Sequence, residues 1–330
     1  RGGARWEVQL KGAGPTPYSR MADGRAVLRS SLREYVASEA MHHLGVPTSR
    51  ALCLVCTGST VWRDMFYDGD AKKEPGAVLT RLAPSWVRFG TFQLPSSRGL
   101  VEASMVKVLA DYLIRHHFPH LEGEDGDERY RLLLRAIVDS TAELAAAWQT
   151  VGFVHGVLNT DNMSALGLTI DYGPFAWMDD FDPNFTPNAS DFSSLRYVYK
   201  EQPNVCSYNV SQLANSFLGG RLLPRDQAQA EVYRFGPACR EALARRWAAK
   251  LGVRAHDPAL LESLLALMEE SKADFTNTFR ALADVDVASE MPPMPERLRA
   301  AVAPDRGEGT IPAELEGRWR AWLGLLAATV

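Results

Sequence analysis

Long apolar runs are missing from this sequence, since none approaches the roughly 20 residues that a helix needs to cross a bilayer. Basic residues are not in excess either, because 36 Lys and Arg face 40 Asp and Glu, for a net charge of −4. That balance provides no broad basic surface for nucleic acid. We therefore expect neither a membrane nor a nucleic acid among the partners of this chain.

A targeting segment is missing as well. The chain opens on Arg1-Gly2-Gly3, with no initiator Met and no charged stretch followed by an apolar one. Such an opening is typical of a fragment or a trimmed chain, from which any targeting information would be lost. The expected localisation is therefore conditional: a soluble protein of a reducing compartment, the cytoplasm in a bacterium or the mitochondrion in a eukaryote.

Cysteine is scarce. The four cysteines are Cys53, Cys56, Cys206 and Cys239, and the first two have a CxxC spacing. A zinc site would need two more ligands at matching spacing, and none is evident. The run 51–56 predicts a buried strand, so we interpret both residues as packed free thiols.

Acidic and amide side chains are present where a metal–nucleotide site would need them. The stretch 152–163 contains Asp161 and Asn162, and Asp171-Tyr172-Gly173 follows a short apolar run. Protein kinases carry Asp, four further residues and Asn in the catalytic loop, then a metal-binding Asp-Phe-Gly. Asn162 and Asp171 match the two metal ligands, but Val157 stands where the kinase has its base. Alternatively, Asp161 and Asn162 cap a helix or form an Asx turn.

The first 45 residues predict a strand followed by a helix. Residues 6–11 alternate between apolar and polar and end at Lys11, and the next helix opens near Ser31. Ser31 and Glu34 have the spacing of a capping box, which is one interpretation of Glu34. The other is the helix glutamate that pairs with a strand lysine in kinases. The order of lysine, glutamate and acidic loop along the chain favours the kinase interpretation.

Three further strands are predicted at 50–56, 61–66 and 78–82. Arg81 lies near the end of the last strand, and Arg88 follows that strand. The planar forks of arginine suit phosphate oxygens. Surface arginines in contact with water are the alternative for both. From residue 99 the pattern becomes helical, with helices predicted at 101–118, 128–151, 210–218, 225–251, 258–271, 274–282 and 313–329. The last helix carries Trp319 and Trp322 as core residues, and 185–204 is predicted to be a long ordered loop.

This pattern predicts an α+β fold of the bilobal, protein-kinase-like type. A small, sheet-rich N-lobe that lacks its first part would span 1–98 and bind the nucleotide. A large helical C-lobe with the catalytic and metal loop would span 99–290. Residues 291–330 would form a Pro-rich linker and a C-terminal helical segment.

Several contiguous motifs resemble a known family. They lie at 9–20, 23–31, 38–41, 155–164 and 171–175, and Arg81 and Arg88 fall in an Arg-then-Arg-Phe-Gly pattern. With them the sequence resembles the selenoprotein O family of protein adenylyltransferases, which are pseudokinase-like enzymes. The resemblance extends from Trp6 to Arg280 and fades after that.

The resemblance implies a kinase-like fold that binds ATP in a flipped orientation. AMP would then be transferred to Ser, Thr or Tyr hydroxyls of partner proteins, and pyrophosphate would leave. The implied cofactor is Mg²⁺, with Mn²⁺ as an alternative. Members of the family also carry a glycine-rich segment upstream of the strand lysine and a C-terminal cysteine or selenocysteine. Neither feature lies within this chain.

The resemblance also implies roles for individual residues. Asn162 and Asp171 would bind the metal, and Asp161 would be the general base for the acceptor hydroxyl. The remaining residues would hold or contact the nucleotide: Lys11, oriented by Glu34, together with Asp23, Gly24, Arg81, Arg88 and Asp171.

Two other functions are compatible with the same residues. One is ordinary phosphoryl transfer by a kinase, although such enzymes have Asp where Val157 stands. The other is a pseudokinase that binds nucleotide and acts as a scaffold or switch.

Overall fold

The computed structural model describes residues 5–17, 19, 21–65, 68–302 and 311–330. These residues form an α+β structure with a small sheet and many helices. No helix in these ranges is both long enough and apolar enough to span a membrane.

The chain divides into two compact units, each made of several segments. Unit 1 comprises Arg1–Leu144, Val157–Pro174 and Cys206–Phe235. Unit 2 comprises Ala145–Gly156, Phe175–Val205 and Gly236–Val330. The division into 1–98, 99–290 and 291–330 remains a prediction.

Unit 1 contains an antiparallel sheet in which one strand pairs with all the others. This strand is β4 (Lys72–Ala83), and its partners are β1 (Glu7–Lys11), β2 (Ala26–Val27) and β3 (Arg50–Arg63). The predicted strand 78–82 is therefore only the second half of β4. The predicted strands 50–56 and 61–66 are one continuous strand up to Arg63, so two described strands of this sheet, rather than three, follow the first helix.

Strand β1 separates its side chains onto two faces, as the two-residue period of a strand requires. Gln9 lies opposite Arg81 in the register, and Lys11 lies opposite Leu79. Leu79 and Arg81 are buried, so this is the inner face of the sheet. Val8, on the other face, is exposed. The register therefore places Lys11 and Arg81 on the same, inner face.

The first helix, α1 (Leu28–His43), begins directly from strand β2. Its N-cap is Val27, with no side-chain cap, so the alternative interpretation of Ser31 and Glu34 as a capping box is wrong. Both residues lie inside the helix and are buried. Because the strand leads straight into the helix, the N-cap lies four residues before the Ser31 that the Ser-Glu spacing suggested, and Glu34 is available for another contact.

The cysteines of β3 are not packed. Cys53 and Cys56 are both exposed, and so are most residues between them and Ser59. The predicted buried strand is therefore wrong. β3 pairs with β4 alone, and its register shifts twice, so it forms an irregular edge of the sheet rather than a central strand. The thiols are free, as expected, but accessible.

The helices of unit 1 enclose a core of large apolar side chains. Its helices include α2 (Phe89–Ser96) and α3 (Leu100–His117). Residues of α4 (Glu128–Thr150), α5 (Gln202–Gly219) and α6 (Arg225–Leu251) also belong to this unit. Phe89, Phe92, Leu113, Leu133 and Phe217 are fully buried.

Unit 2 is built around its own apolar cluster. It contains the short strand pair β5 (Phe153–Val154) and β6 (Ala176–Trp177) and the C-terminal helices. These helices are α7 (Pro258–Ser271), α8 (Phe275–Ala281), α9 (Glu296–Val302) and α10 (Ala313–Thr329). Trp319 and Trp322 are buried, which confirms the prediction that they are core residues.

The segment 185–204 is largely irregular, as predicted, with short 3₁₀ turns at Ala189–Asp191 and Tyr199–Glu201. Helix α5 already begins at Gln202, earlier than the predicted 210.

Candidate nucleotide-binding site

A chain of ion pairs links the inner face of the sheet to helix α1. Lys11 Nζ donates to Glu34 Oε2 at 2.5 Å, and Arg81 Nη1 donates to Glu34 Oε1 at 2.7 Å. Glu34 is buried, and its two oxygens are each used by one cation. The structure thus brings together the strand lysine and the helix glutamate that the sequence order suggested, and it adds an arginine to the pair.

Asp171 lies at the centre of the positive charges. Arg81 Nη1 donates to its Oδ1, Arg88 Nη1 lies 2.6 Å from its Oδ2, and Lys11 Nζ lies 3.9 Å from Oδ1. Burial alone would raise the pKa of Asp171. The charges of Arg81, Lys11 and Arg88 outweigh burial and hold this pKa well below its usual range.

The backbone at Asp171 is strained. Its φ is +55°, in the left-handed region that residues other than glycine rarely occupy, at a cost on the order of 1–3 kcal/mol. The preceding segment is fixed by backbone hydrogen bonds from Thr169 N to Pro47 O (2.9 Å) and from Ser49 N to Thr169 O (3.0 Å). These bonds hold the strained turn in place, so that its carboxylate faces the arginines.

Arg81 is a fixed cation. Its side chain is 4% exposed. Its guanidinium lies 4.6 Å from the ring centre of Trp86, and its Nη2 donates to Gln9 Oε1. Burial alone would lower the pKa of Arg81, but the charges of Asp171 and Glu34 raise it. Sequence reasoning missed Gln9 and Trp86, because only the register of β1 and β4 and the loop after β4 bring them to this arginine.

Arg88 is more accessible and connects the two acidic segments. Its side chain is 23% exposed. The same Nη1 that pairs with Asp171 also donates to the backbone oxygen of Asp161 at 2.8 Å. A single nitrogen therefore contacts both segments, and the loop 160–162 lies beside the Asp171 carboxylate.

The loop after Val157 presents one amide and one carboxylate. Thr160–Asn162 is a 3₁₀ turn, and Asn159, rather than Asp161 or Asn162, caps it by accepting from Asp161 N at 3.1 Å. Asn162 Nδ2 donates to Val157 O at 2.8 Å. Because the donor group of this amide is used within the loop, the atom it offers to a ligand is the carbonyl oxygen Oδ1.

The Asp161 carboxylate packs against the start of helix α2. A Cβ built on Gly90 would lie 2.0 Å from Asp161 Oδ1. The side chain is thus seated over the first turn of this helix, and Asp161 as a residue is exposed. Gly90 is the last residue of the Arg-Phe-Gly motif at 88–90, but the spacing of that motif did not predict its contact with Asp161.

Asp23 and Gly24 lie in the turn before β2. Arg63 pairs with Asp23 through two nitrogens, at 2.7 and 3.0 Å, and lowers the pKa of Asp23 to about 2. Gly24 has φ +65°, and a Cβ there would lie 2.1 Å from Gly14 O. The turn is therefore held against the segment that follows Lys11. In the described ranges Asp23 pairs with Arg63 and not with the Lys11–Asp171 group, and no sequence pattern indicated this partner.

Comparison with known proteins assigns a family to this chain. The family model described as "Protein adenylyltransferase SelO" matches residues 1–306. The chain belongs to this family.

Curated relatives of the SelO family agree. The chain is 52% identical to the "Protein nucleotidyltransferase YdiU" of Xanthomonas euvesicatoria pv. vesicatoria (strain 85-10), over 91% of this chain and 57% of that relative. It is 51% identical to the protein of that name from Aromatoleum aromaticum, over 86% of this chain and 54% of the relative. The chain therefore spans somewhat more than half the length of these relatives.

The ion-pair group of this site favours an anion. Three cations, Lys11, Arg81 and Arg88, surround two carboxylates, Glu34 and Asp171, which leaves one net positive charge. Uncompensated positive charge in a partly buried site attracts phosphate groups, and arginine forks match their oxygens.

The same site suits a divalent cation that takes few protein ligands. Among the described residues, no cluster of three or more His, Cys, Asp or Glu side chains could hold a metal ion. Mg²⁺ usually binds through one or two protein oxygens together with substrate phosphates and water. Asp171 and the Oδ1 of Asn162 are oxygen donors of the kind that Mg²⁺ takes, and Arg88 would have to leave Asp171 Oδ2 for a cation to bind there.

Proposed function

We propose that this chain contains the nucleotide site of a protein adenylyltransferase. It would transfer AMP from ATP to Ser, Thr or Tyr hydroxyls of partner proteins and release pyrophosphate. The observation that carries the proposal is the group of Lys11, Glu34, Arg81, Arg88 and Asp171 beside the 160–162 loop.

The cations would hold the phosphates of ATP in a flipped orientation. Lys11 is placed for this by Glu34, and Arg88 has the exposure to reach a bound nucleotide. Arg81, buried under four partners, would keep Asp171 and Glu34 in position rather than follow the ligand. The turn at Asp23 and Gly24, next to Lys11, would border the nucleotide.

Asn162 and Asp171 would hold Mg²⁺, or Mn²⁺ in its place. When bound, the metal would neutralise phosphate charge and orient the nucleotide for attack. Arg88, released from Asp171, would be free to contact a phosphate oxygen. The Asp171 carboxylate would then contact the metal ion in place of Arg88.

Asp161 would remove the proton of the acceptor hydroxyl. Val157 carries no titratable group at the position of the kinase base, and Asp161 is an exposed carboxylate on the same loop. The proposed fold that contains this loop is the bilobal, protein-kinase-like one expected from the sequence, with 1–98 as the N-lobe.

The test compares ATP labelled in the α-phosphate with ATP labelled in the γ-phosphate. The chain is incubated with each, Mg²⁺ and a mixture of proteins, and label on protein is counted. We expect transfer of the α label only, and an added AMP on mass spectrometry. Transfer of the γ label would identify a kinase instead and contradict the proposal.

Two variants assign the roles within that assay. Asp171→Ala should abolish transfer, because it removes a metal ligand, takes the carboxylate partner from Arg88 and leaves Arg81 with Glu34 alone. Asp161→Ala should keep residual transfer, because a positioned base contributes about 10²–10⁴-fold in rate. Equal and mild losses in both variants would count against the metal site.

A nucleotide-binding pseudokinase without transfer activity is the second candidate. One observation favours it: both oxygens of Asp171 are already paired with arginines, as in a site that needs no metal. A rise in melting temperature with ATP that does not depend on Mg²⁺, together with no transfer of either label, would support this function over the first.

A further inference from the structure

Gly90 occupies a helical position that does not favour glycine. It is the second residue of α2, and its φ lies outside the left-handed region. Glycine in a helix costs roughly 1 kcal/mol relative to alanine. The backbone conformation therefore gives no reason for a glycine here, and the reason must be space.

The space at Gly90 is filled by Asp161. A Cβ on Gly90 would lie 2.0 Å from Asp161 Oδ1, 3.2 Å from its Cγ and 3.4 Å from its Cα. All three nearest atoms belong to that one residue. An alanine at position 90 would therefore act on the Asp161 side chain before it touched anything else.

The loop that carries Asp161 cannot retreat as a whole. Phe89 N donates to Met163 O at 2.9 Å, and Ala165 N donates to Val87 O at 3.0 Å. The Asp161 backbone is also held, since its oxygen accepts from Arg88 Nη1 at 2.8 Å. With the backbone fixed at both sides, a methyl group at position 90 would displace the carboxylate, because Oδ1 is the atom nearest to it.

We propose that Gly90 is a positioning residue for the transfer reaction. Its missing Cβ leaves the space in which the Asp161 carboxylate lies over the first turn of α2, and so sets where this group meets the acceptor hydroxyl. The proposal rests on the proposed function, in which Asp161 takes the hydroxyl proton.

A shift of the carboxylate would affect the chemical step rather than nucleotide binding. Displacement of a catalytic group by about 1 Å can cost on the order of 10²-fold in rate. Among the described residues, the atoms nearest to the added methyl belong to Asp161 and not to Lys11, Arg81 or Arg88. Gly90→Ala should therefore lower kcat by about 10–100-fold and leave the KM for ATP within about twofold.

The decisive experiment is a double-mutant cycle of Gly90→Ala and Asp161→Ala, with AMP transfer as the readout. If Gly90 acts through Asp161, Gly90→Ala should change the rate less than about twofold in the Asp161→Ala background. The same loss in both backgrounds would show a general structural effect and overturn the proposal, as would full activity of the single variant.

Gly317→Ala is the matched control. Gly317 lies in helix α10, and a Cβ there would meet nothing within 4 Å. This variant should retain the wild-type kcat and KM. Melting temperatures of all variants, with and without ATP, identify any loss that comes from unfolding.

A crystal structure of the Gly90→Ala variant provides a readout that needs no activity. We expect the Asp161 carboxylate in a new rotamer, with the hydrogen bond from Phe89 N to Met163 O intact. An unmoved carboxylate would refute the steric argument. A moved carboxylate in a chain whose wild type transfers no AMP would instead refute the proposed function, and with it the role of Gly90 in transfer.

Discussion

At the scale of single residues, two arginines in one ion-pair group differ in burial. Arg81 is 4% exposed and contacts Glu34, Asp171, Gln9 and Trp86, whereas Arg88 is 23% exposed. A buried cation with two carboxylate partners supports the fold, because its removal leaves Glu34 with Lys11 alone and takes from Asp171 the hydrogen bond to its Oδ1. The accessible one can exchange partners.

This difference predicts opposite outcomes for Arg81→Met and Arg88→Met. Arg81→Met should lower the free energy of unfolding by about 3–5 kcal/mol, as expected when one partner of a buried ion pair is removed. Arg88→Met should cost much less stability but weaken ATP binding. Urea unfolding measures the first effect and calorimetric titration with ATP the second, and similar stability losses in both variants would contradict the distinction.

The pair of Asp23 and Arg63 predicts a titration. The pKa of Asp23 is lowered from 3.8 to about 2, first by the hydrogen bond from Arg63 and then by that from the Arg25 backbone. Because the folded-state pKa is the lower one, the pair stabilises the fold above pH 3.8 and loses this contribution as the pH falls towards 2.

In Arg63→Gln the pKa of Asp23 should therefore rise towards 3.8, measured by NMR of the carboxyl carbon. Arg29→Gln is the control, because Arg29 pairs with Glu74 and should leave Asp23 unchanged. A pKa of Asp23 that stays near 2 in Arg63→Gln would assign the shift to the backbone alone.

At the scale of elements, local pattern and tertiary position conflicted in β3. The run 51–56 is apolar enough for a buried strand, but its place at the sheet edge leaves Cys53 and Cys56 exposed. Burial on both faces requires neighbours that a single strand cannot specify. Helix α1 presents a similar case, because the Ser31–Glu34 spacing allowed a capping box, whereas the helix begins directly after β2.

Accessibility of the β3 cysteines predicts thiol labelling. In the native protein a thiol reagent should modify Cys53 and Cys56 quickly, whereas the buried Cys206 and Cys239 should react only after unfolding. The double variant Cys53→Ser, Cys56→Ser should lose the fast phase completely. A native protein in which none of the four thiols reacts would restore the buried strand.

At the scale of the whole molecule, every residue of the candidate site belongs to unit 1. Lys11, Glu34, Arg81, Asp161 and Asp171 all lie within its segments, although they are far apart in the sequence. A ligand that binds only the folded state stabilises it by about 2.7 kcal/mol at a concentration of 100 times its Kd.

ATP should therefore protect unit 1 from hydrogen exchange. With ATP and Mg²⁺ we expect slower exchange in β1, α1, β4 and the first turn of α2, and a higher melting temperature. Helix α10, which contains none of the site residues, is the internal reference. The Asp171→Ala variant should show no protection, and protection confined to α10 would place the nucleotide elsewhere.

The sequence by itself determined most of the helices and the residue types of the candidate site. Helices at Arg225–Leu251, Pro258–Ser271 and Ala313–Thr329 begin and end where their pattern predicted, because apolar periodicity and breakers act locally. Contiguous motifs identified the family, because each motif is likewise a local run of residues.

The tertiary structure alone decided which groups meet. The register of β1 and β4 brings Gln9 to Arg81, the pairing of Pro47 and Ser49 with Thr169 fixes Asp171, and the start of α2 seats Asp161 over Gly90. These contacts join residues far apart in the chain, and their energies depend on burial and mutual distance. No local pattern encodes either quantity, so partners such as Arg63 and Trp86 could be found only once the chain was folded.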